Sequence, residues 1–149
     1  MSMYQEHALQ GASAVDLVVA LYDGIIRFLY AAADAVDRRD SADRRMAAKR
    51  ALDIIIHLQA RLRMDIGGKP AQALSEFYAS MFAQILQASQ SASRPKFEHT
   101  IRCVREVRDA WKQVALESNR DGSSGLRTEA DLSPLEAALL SRSEGRWTA

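Results

Sequence analysis

The chain has 149 residues, 26% of them charged and 48% hydrophobic, with a formal net charge of +1 from 20 basic and 19 acidic side chains. That length fits one domain, and the balanced charge excludes the strong field that would steer a protein to nucleic acid or an acidic membrane. One cysteine, Cys103, excludes an internal disulfide framework, and no run approaches the ~20 apolar residues that a membrane span needs.

The opening residues, MSMYQEHALQGA, have neither the basic start nor the apolar run of a secretory signal. Residues 1–12 are expected to form a flexible N-terminal arm with Met3, Tyr4 and Leu9 as apolar anchors, and the protein is expected in the cytoplasm. Ser13, with Asp16 three residues on, is a variant of the capping box and predicts a helix from Ser13 to Asp40. At about 100° per residue, Asp16, Asp23, Arg27, Tyr30, Asp34 and Asp37 share one narrow polar stripe. The rest, Leu21, Tyr22 and Ile25 among it, is apolar or small and about twice as wide as the stripe that buries one face of a surface helix. Asp23 and Arg27 are spaced for an i, i+4 pair.

Ser41 is placed to cap a second helix that runs to Ile66, where Gly67-Gly68 stops it. Ile54, Ile55 and Ile56 point in three directions about 100° apart, so one core cannot bury all three. Ile56 and part of Leu52 fall outside the stripe centred on Ala47, Ala51 and Leu58. Pro70 suits the first turn of a third helix, whose Leu74, Phe77, Tyr78, Met81, Ile85 and Ala88 recur at helical spacing. Phe82 and Leu86 widen that stripe to roughly half the helix. Ser93-Arg94-Pro95 opens a fourth helix carrying Phe97, Ile101, Val104, Val107, Trp111 and Val114, and its signal ends near Ser118.

Four helices of matched length with short connections predict an all-α, antiparallel up-down four-helix bundle over residues 13–118. Residues 119–149 begin with the turn-rich Asn119–Gly125 and are expected to be a largely disordered tail. Ser133-Pro134-Leu135-Glu136 leaves room there for a short helix over 134–142, with Leu135, Leu139 and Leu140 as its apolar members.

The surplus apolar surface predicts a groove for a partner. Its candidate residues are Leu21, Tyr22 and Ile25 on the first helix, Leu52, Ile55 and Ile56 on the second, and Tyr78, Met81, Phe82, Ile85 and Leu86 on the third. The alternative is a structural helical module that homodimerises through the same faces, with the free chain a monomer or a weak homodimer. Catalytic chemistry is not expected. His99 and Cys103 are one turn apart, but a Cys–His nucleophile needs an orienting third group and an oxyanion pocket. His7 and His57 lie in other elements without metal-ligand spacing, so neither a metal nor a cofactor is implied. Arg38, Arg39, Arg44, Arg45, Lys49 and Arg50 are interleaved with Asp37, Asp40, Asp43 and Asp53 and have no aromatic platform, which argues against nucleic acid.

The order of these features resembles the flagellar secretion chaperone FliS family. The resemblance is carried by Tyr4-Gln5, Ala12-Ser13, Leu21-Tyr22-Asp23-Gly24 with Ile26-Arg27-Phe28, and the stretch from Lys49-Arg50-Ala51 to Ile54-Ile55. Gly67-Gly68, Leu74 with Phe77-Tyr78, and Arg108-Asp109-Ala110-Trp111-Lys112-Gln113 complete it, over residues 4–118. The chain departs from the family pattern at Ala14, where proline is usual, and at Ala73, where asparagine is usual. The resemblance implies a helical bundle that binds the C-terminal segment of flagellin in the cytoplasm, prevents its premature polymerisation and keeps it competent for type III export. It also implies that the segment around Tyr4 folds back over the groove when no client is bound and takes part in docking to the export gate FlhA. Gly24 and Trp111 are read as structural, the glycine for close helix approach and the tryptophan to fill the bundle end.

Overall fold

The computed structural model describes the backbone of residues 3–65 and 67–122 and the side chains of residues 14–65, 67–117 and 120. Four helices follow one another, α1 (Met3–Asp37), α2 (Ser41–Ala60), α3 (Gly68–Gln90) and α4 (Arg94–Gly122), with no strand among the described residues. The expected helical bundle is what forms, and the tail segment 134–142 lies outside the described residues.

Connections of three residues at 38–40 and 91–93 reverse the chain by the same device. At the first, Arg39 N donates to Val36 O at 3.0 Å and Asp40 N to Ala35 O at 2.9 Å. At the second, Ala92 N donates to Ser89 O at 3.1 Å and Ser93 N to Ala88 O at 3.0 Å. Both are Schellman closures, in which the residue after the helix turns left-handed and two orphan carbonyls find donors. The left-handed residues are Arg39 (φ 58°) and Ala92 (φ 47°), neither a glycine.

Helix boundaries differ from expectation at four places. α1 starts at Met3, so Ser13 lies inside a continuous helix and not at its start. Only Gly11 is a poor helix former in residues 3–13, and a packed helix extends readily once nucleated. The cap of α2 is Asp40 rather than Ser41, its Oδ1 accepting from Asp43 N at 3.0 Å. α2 stops at Ala60, ahead of the glycine pair, because the chain turns there and sends Leu62 back into the core. α4 continues to Gly122.

α1 packs against α2 and α4, α3 packs against the same two, and α1 and α3 stand diagonally across the core. Trp111, Tyr22 and Phe97 are its largest fully buried side chains. Gly24 permits a close α1–α2 approach, since a Cβ there would lie 3.2 Å from Ile54 Cδ1. The α1 polar stripe meets α4 instead of standing in solvent alone. Arg108 Nη1 donates to Asp23 Oδ1 at 3.0 Å, Arg105 Nη2 to the Tyr30 hydroxyl at 2.8 Å, and Arg94 pairs with both Asp34 and Asp37. Asp23 therefore pairs across the seam with Arg108, and not with Arg27, whose guanidinium lies 5.8 Å from the Phe28 ring centre. Antiparallel register brings the α4 arginines opposite this stripe, a relation that spacing within α1 does not contain.

Candidate functional site: the α2–α3 groove

α2 and α3 are tied by Gln59 Nε2, which donates to Ser75 Oγ at 2.8 Å. That bond fixes the register. Running antiparallel from it, Ile56 comes level with Ala79, Leu52 with Phe82, and Lys49 with Leu86. On α2 the flank facing α3 carries Gln59, Ile56 and Leu52; on α3 the flank facing α2 carries Ser75, Phe82 and Leu86. Ile56 is 53% exposed and Leu86 40%, while Leu52 and Phe82 are half-buried against the core. The result is a shallow apolar trough with a floor of Leu52 and Phe82 and raised edges at Ile56 and Leu86.

The twelve sequence-derived candidates separate clearly. Ile56, Leu86, Leu52 and Phe82 line the trough. Leu21 is half-buried on α1, facing α2, outside the trough. Tyr22, Ile25, Ile55, Tyr78, Met81 and Ile85 are at most 3% exposed and form the core itself. In this structure these six lie beneath the surface, and a partner resting on the bundle meets the four trough residues first. The width of each apolar stripe revealed surplus surface without locating its edge. The side chain of Tyr4 lies outside the described residues.

Exposed apolar positions that the sequence left unassigned include Leu17, Met46, Met64 and Leu116, each about half exposed. Leu17 belongs to the same overwide α1 stripe and was open to discovery by the same count. Basic groups flank the trough as well. Arg45 and Lys49 share the outer side of α2 with Ile56, and Lys49 Nζ pairs with Asp53 at 3.0 Å. On the opposite side of α2, Arg50 joins Arg27 over the Phe28 ring, each guanidinium 5.8 Å from its centre.

Beneath the trough, the Tyr22 and Tyr78 hydroxyls are 2.7 Å apart and share one hydrogen bond. Burial pushes the Tyr22 phenol up to about 12, and burial and the Tyr22 neighbour push Tyr78 higher still. Both stay neutral, and neither serves as an acid or base at physiological pH.

Elsewhere the chemistry is sparse. Cys103 Sγ and His99 Nε2 are 3.7 Å apart, a contact to which no third orienting group is joined among the described residues. Gln84, Gln87, Pro95, Lys96, His99 and Thr100 line an open hollow between α3 and α4, whose Thr100 hydroxyl is already engaged with Gln84 Oε1 at 3.1 Å. No group of three metal-ligating side chains occurs among the described residues. Nor is any described helix long and apolar enough to cross a membrane.

Comparison with known proteins identifies the family of this bundle. The family model for "Flagellar protein FliS" matches residues 1–118. The chain is 32% identical over 109 residues to the flagellar secretion chaperone FliS of Vibrio cholerae, covering 73% of this chain and 80% of that one. It is 31% identical over 111 residues to the protein of the same name in Salmonella typhimurium, covering 74% and 82%. With the Bacillus subtilis protein of that name it shares 26% over 125 residues, covering 83% and 92%. From its sequence, its four helices and these relatives, the chain belongs to the FliS family of flagellar secretion chaperones, a family without enzymatic activity.

Proposed function

We propose that this chain is a cytoplasmic export chaperone that holds the C-terminal segment of flagellin. It prevents premature polymerisation and keeps the client competent for type III export. The observation that carries the proposal is the α2–α3 trough, where Ile56 and Leu86 stand exposed above Leu52 and Phe82. An amphipathic helix needs such a surface, with anchors one helical turn apart fitting between two packed helices. Flagellin's terminal segment packs against other subunits in the filament, so free in the cytoplasm it is prone to associate early. Covering its apolar face removes that tendency. The ordering of a disordered client costs a few kcal/mol of the gross interaction, which keeps the complex releasable at the export machinery.

Leu21 belongs to the proposed contact surface as a secondary position on α1. The proposal also gives the segment around Tyr4 a role in covering the trough before the client arrives and in docking to FlhA. The test is calorimetric titration of the full chain with a peptide of the flagellin C-terminal segment. Saturable binding with a negative heat-capacity change is expected, and absence of binding at micromolar concentrations would overturn the proposal.

A further inference from the structure

We infer that residues 129–140 of this chain occupy the α2–α3 trough in cis and compete with the client for it. The inference rests on the proposed use of the trough but concerns a different occupant. Residues after 118 fall outside the family match, so the match assigns this stretch no role. Its chemistry fits the trough. Leu135 and Leu139 stand at i and i+4, the spacing an apolar edge between two helices accepts, and Leu132 adds an apolar residue just ahead of them. Ser133-Pro134-Leu135-Glu136 supplies a cap, a first-turn proline and a third-position acid, so a helix forms there readily once its leucines have a surface to cover.

Charge points the same way. Between Arg127 and Arg142 the tail carries Glu129, Asp131 and Glu136 and no basic residue. α2 carries four basic residues, Arg44, Arg45, Lys49 and Arg50, against two acids, Asp43 and Asp53. Arg45 and Lys49 lie on the same side of α2 as Ile56.

Reach is sufficient. In an up-down bundle the end of α4 lies at the same end of the molecule as the end of α2 and the start of α3. Twelve residues separate Gly122 from Leu135. Extended, they span about 40 Å, more than the roughly 30 Å length of α2. A tethered segment faces its site at an effective concentration in the millimolar range, so even weak docking competes with a free client. The tail then sets a threshold, yielding only to a client that binds more tightly.

The test uses the full chain and the variant Leu135→Ser/Leu139→Ser. Methyl signals of Ile56 and Leu86 should move between the two proteins, those of the core residues Ile101 and Val104 should not, and the difference should survive twentyfold dilution. Unmoved Ile56 and Leu86 signals would overturn the inference. So would a difference that disappears on dilution together with a dimer in sedimentation, since the occupant would then be a second copy. In a parallel titration the flagellin peptide should bind the variant about tenfold more tightly, and equal affinities would overturn the competition. A peptide that binds neither protein while the methyl signals move would sink the flagellin proposal and leave the cis docking standing.

Discussion

The hydroxyl groups of Tyr22 and Tyr78 meet 2.7 Å apart at the centre of the bundle, joining α1 to α3 across its diagonal. Their rings stand edge to face with centroids 6.2 Å apart. Each hydroxyl is the other's hydrogen-bonding partner, and the buried Trp111 indole N–H makes no hydrogen bond. Removing one hydroxyl therefore strands the other in an apolar surround, whereas removing both leaves rings of the same shape. Tyr22→Phe and Tyr78→Phe should each cost about 1–3 kcal/mol, and the double variant should cost less than the sum of the two. Urea unfolding of the four proteins gives the coupling energy directly; strict additivity would mean that the bond contributes no specificity.

Ionisation of the same pair is expected to weaken the fold at alkaline pH. Tyr22 is held up to about 12 by burial, while in the unfolded chain it ionises near its ordinary value of about 10. Above pH 10 the unfolded state loses this proton and the folded state keeps it, so stability is fully present below pH 10 and falls as pH rises toward 12. The fall should be shallower in the double phenylalanine variant. Thermal unfolding followed by circular dichroism from pH 8 to 11 checks this, and parallel curves for the two proteins would remove tyrosine ionisation as the cause.

Arg39 and Ala92 close two helices in a left-handed conformation that costs an L-residue about 1–2 kcal/mol. Glycine adopts it freely but gives back part of the gain through its looser unfolded chain. Arg39→Gly and Ala92→Gly are each expected to stabilise the protein by about 0.5–1 kcal/mol, because neither turn changes its hydrogen bonds. Ala92 is the cleaner site, as its side chain carries no charge to lose. A rise of a few °C in melting temperature is the expected outcome, and a fall at Ala92 would show that its methyl group makes a contact worth more than the strain.

Most of the architecture was legible because helices declare themselves locally. Gly67-Gly68, Pro70 and Ser93-Arg94-Pro95 bracket the third and fourth helices close to where α3 and α4 lie. What could not be read depended on partners distant in the chain. Asp23 has Arg27 one turn away in sequence, yet Arg108 lies 3.0 Å from it only because α4 runs antiparallel to α1. The candidate site divides for the same reason. Ile55 and Ile56 have the same composition and adjacent positions, and whether either is core depends on where α3 sits relative to α2. The Gln59–Ser75 bond that fixes this joins two exposed polar groups with no hydrophobic signal.

That division yields the sharpest test of the groove. Ile55 is 2% exposed and Ile56 is 53% exposed, so the same substitution at neighbouring positions asks two different questions. Ile55→Asp places a charge in the core and should unfold the bundle, since an unpaired buried carboxylate costs more than a marginally stable domain holds in reserve. Ile56→Asp and Leu86→Asp should leave the helical circular dichroism and the unfolding midpoint nearly unchanged. Each should still weaken binding of the flagellin peptide by about 10- to 100-fold, the loss expected when a side chain of this size no longer buries its area against a client. Phe82→Asp is a poorer probe, because Phe82 packs partly against the core and a folding defect would be mixed with a binding defect. Two folded variants, at Ile56 and Leu86, that bind the peptide as tightly as the parent chain would move the client to another face of the bundle, with the exposed Leu17 and Leu116 the next surface to substitute.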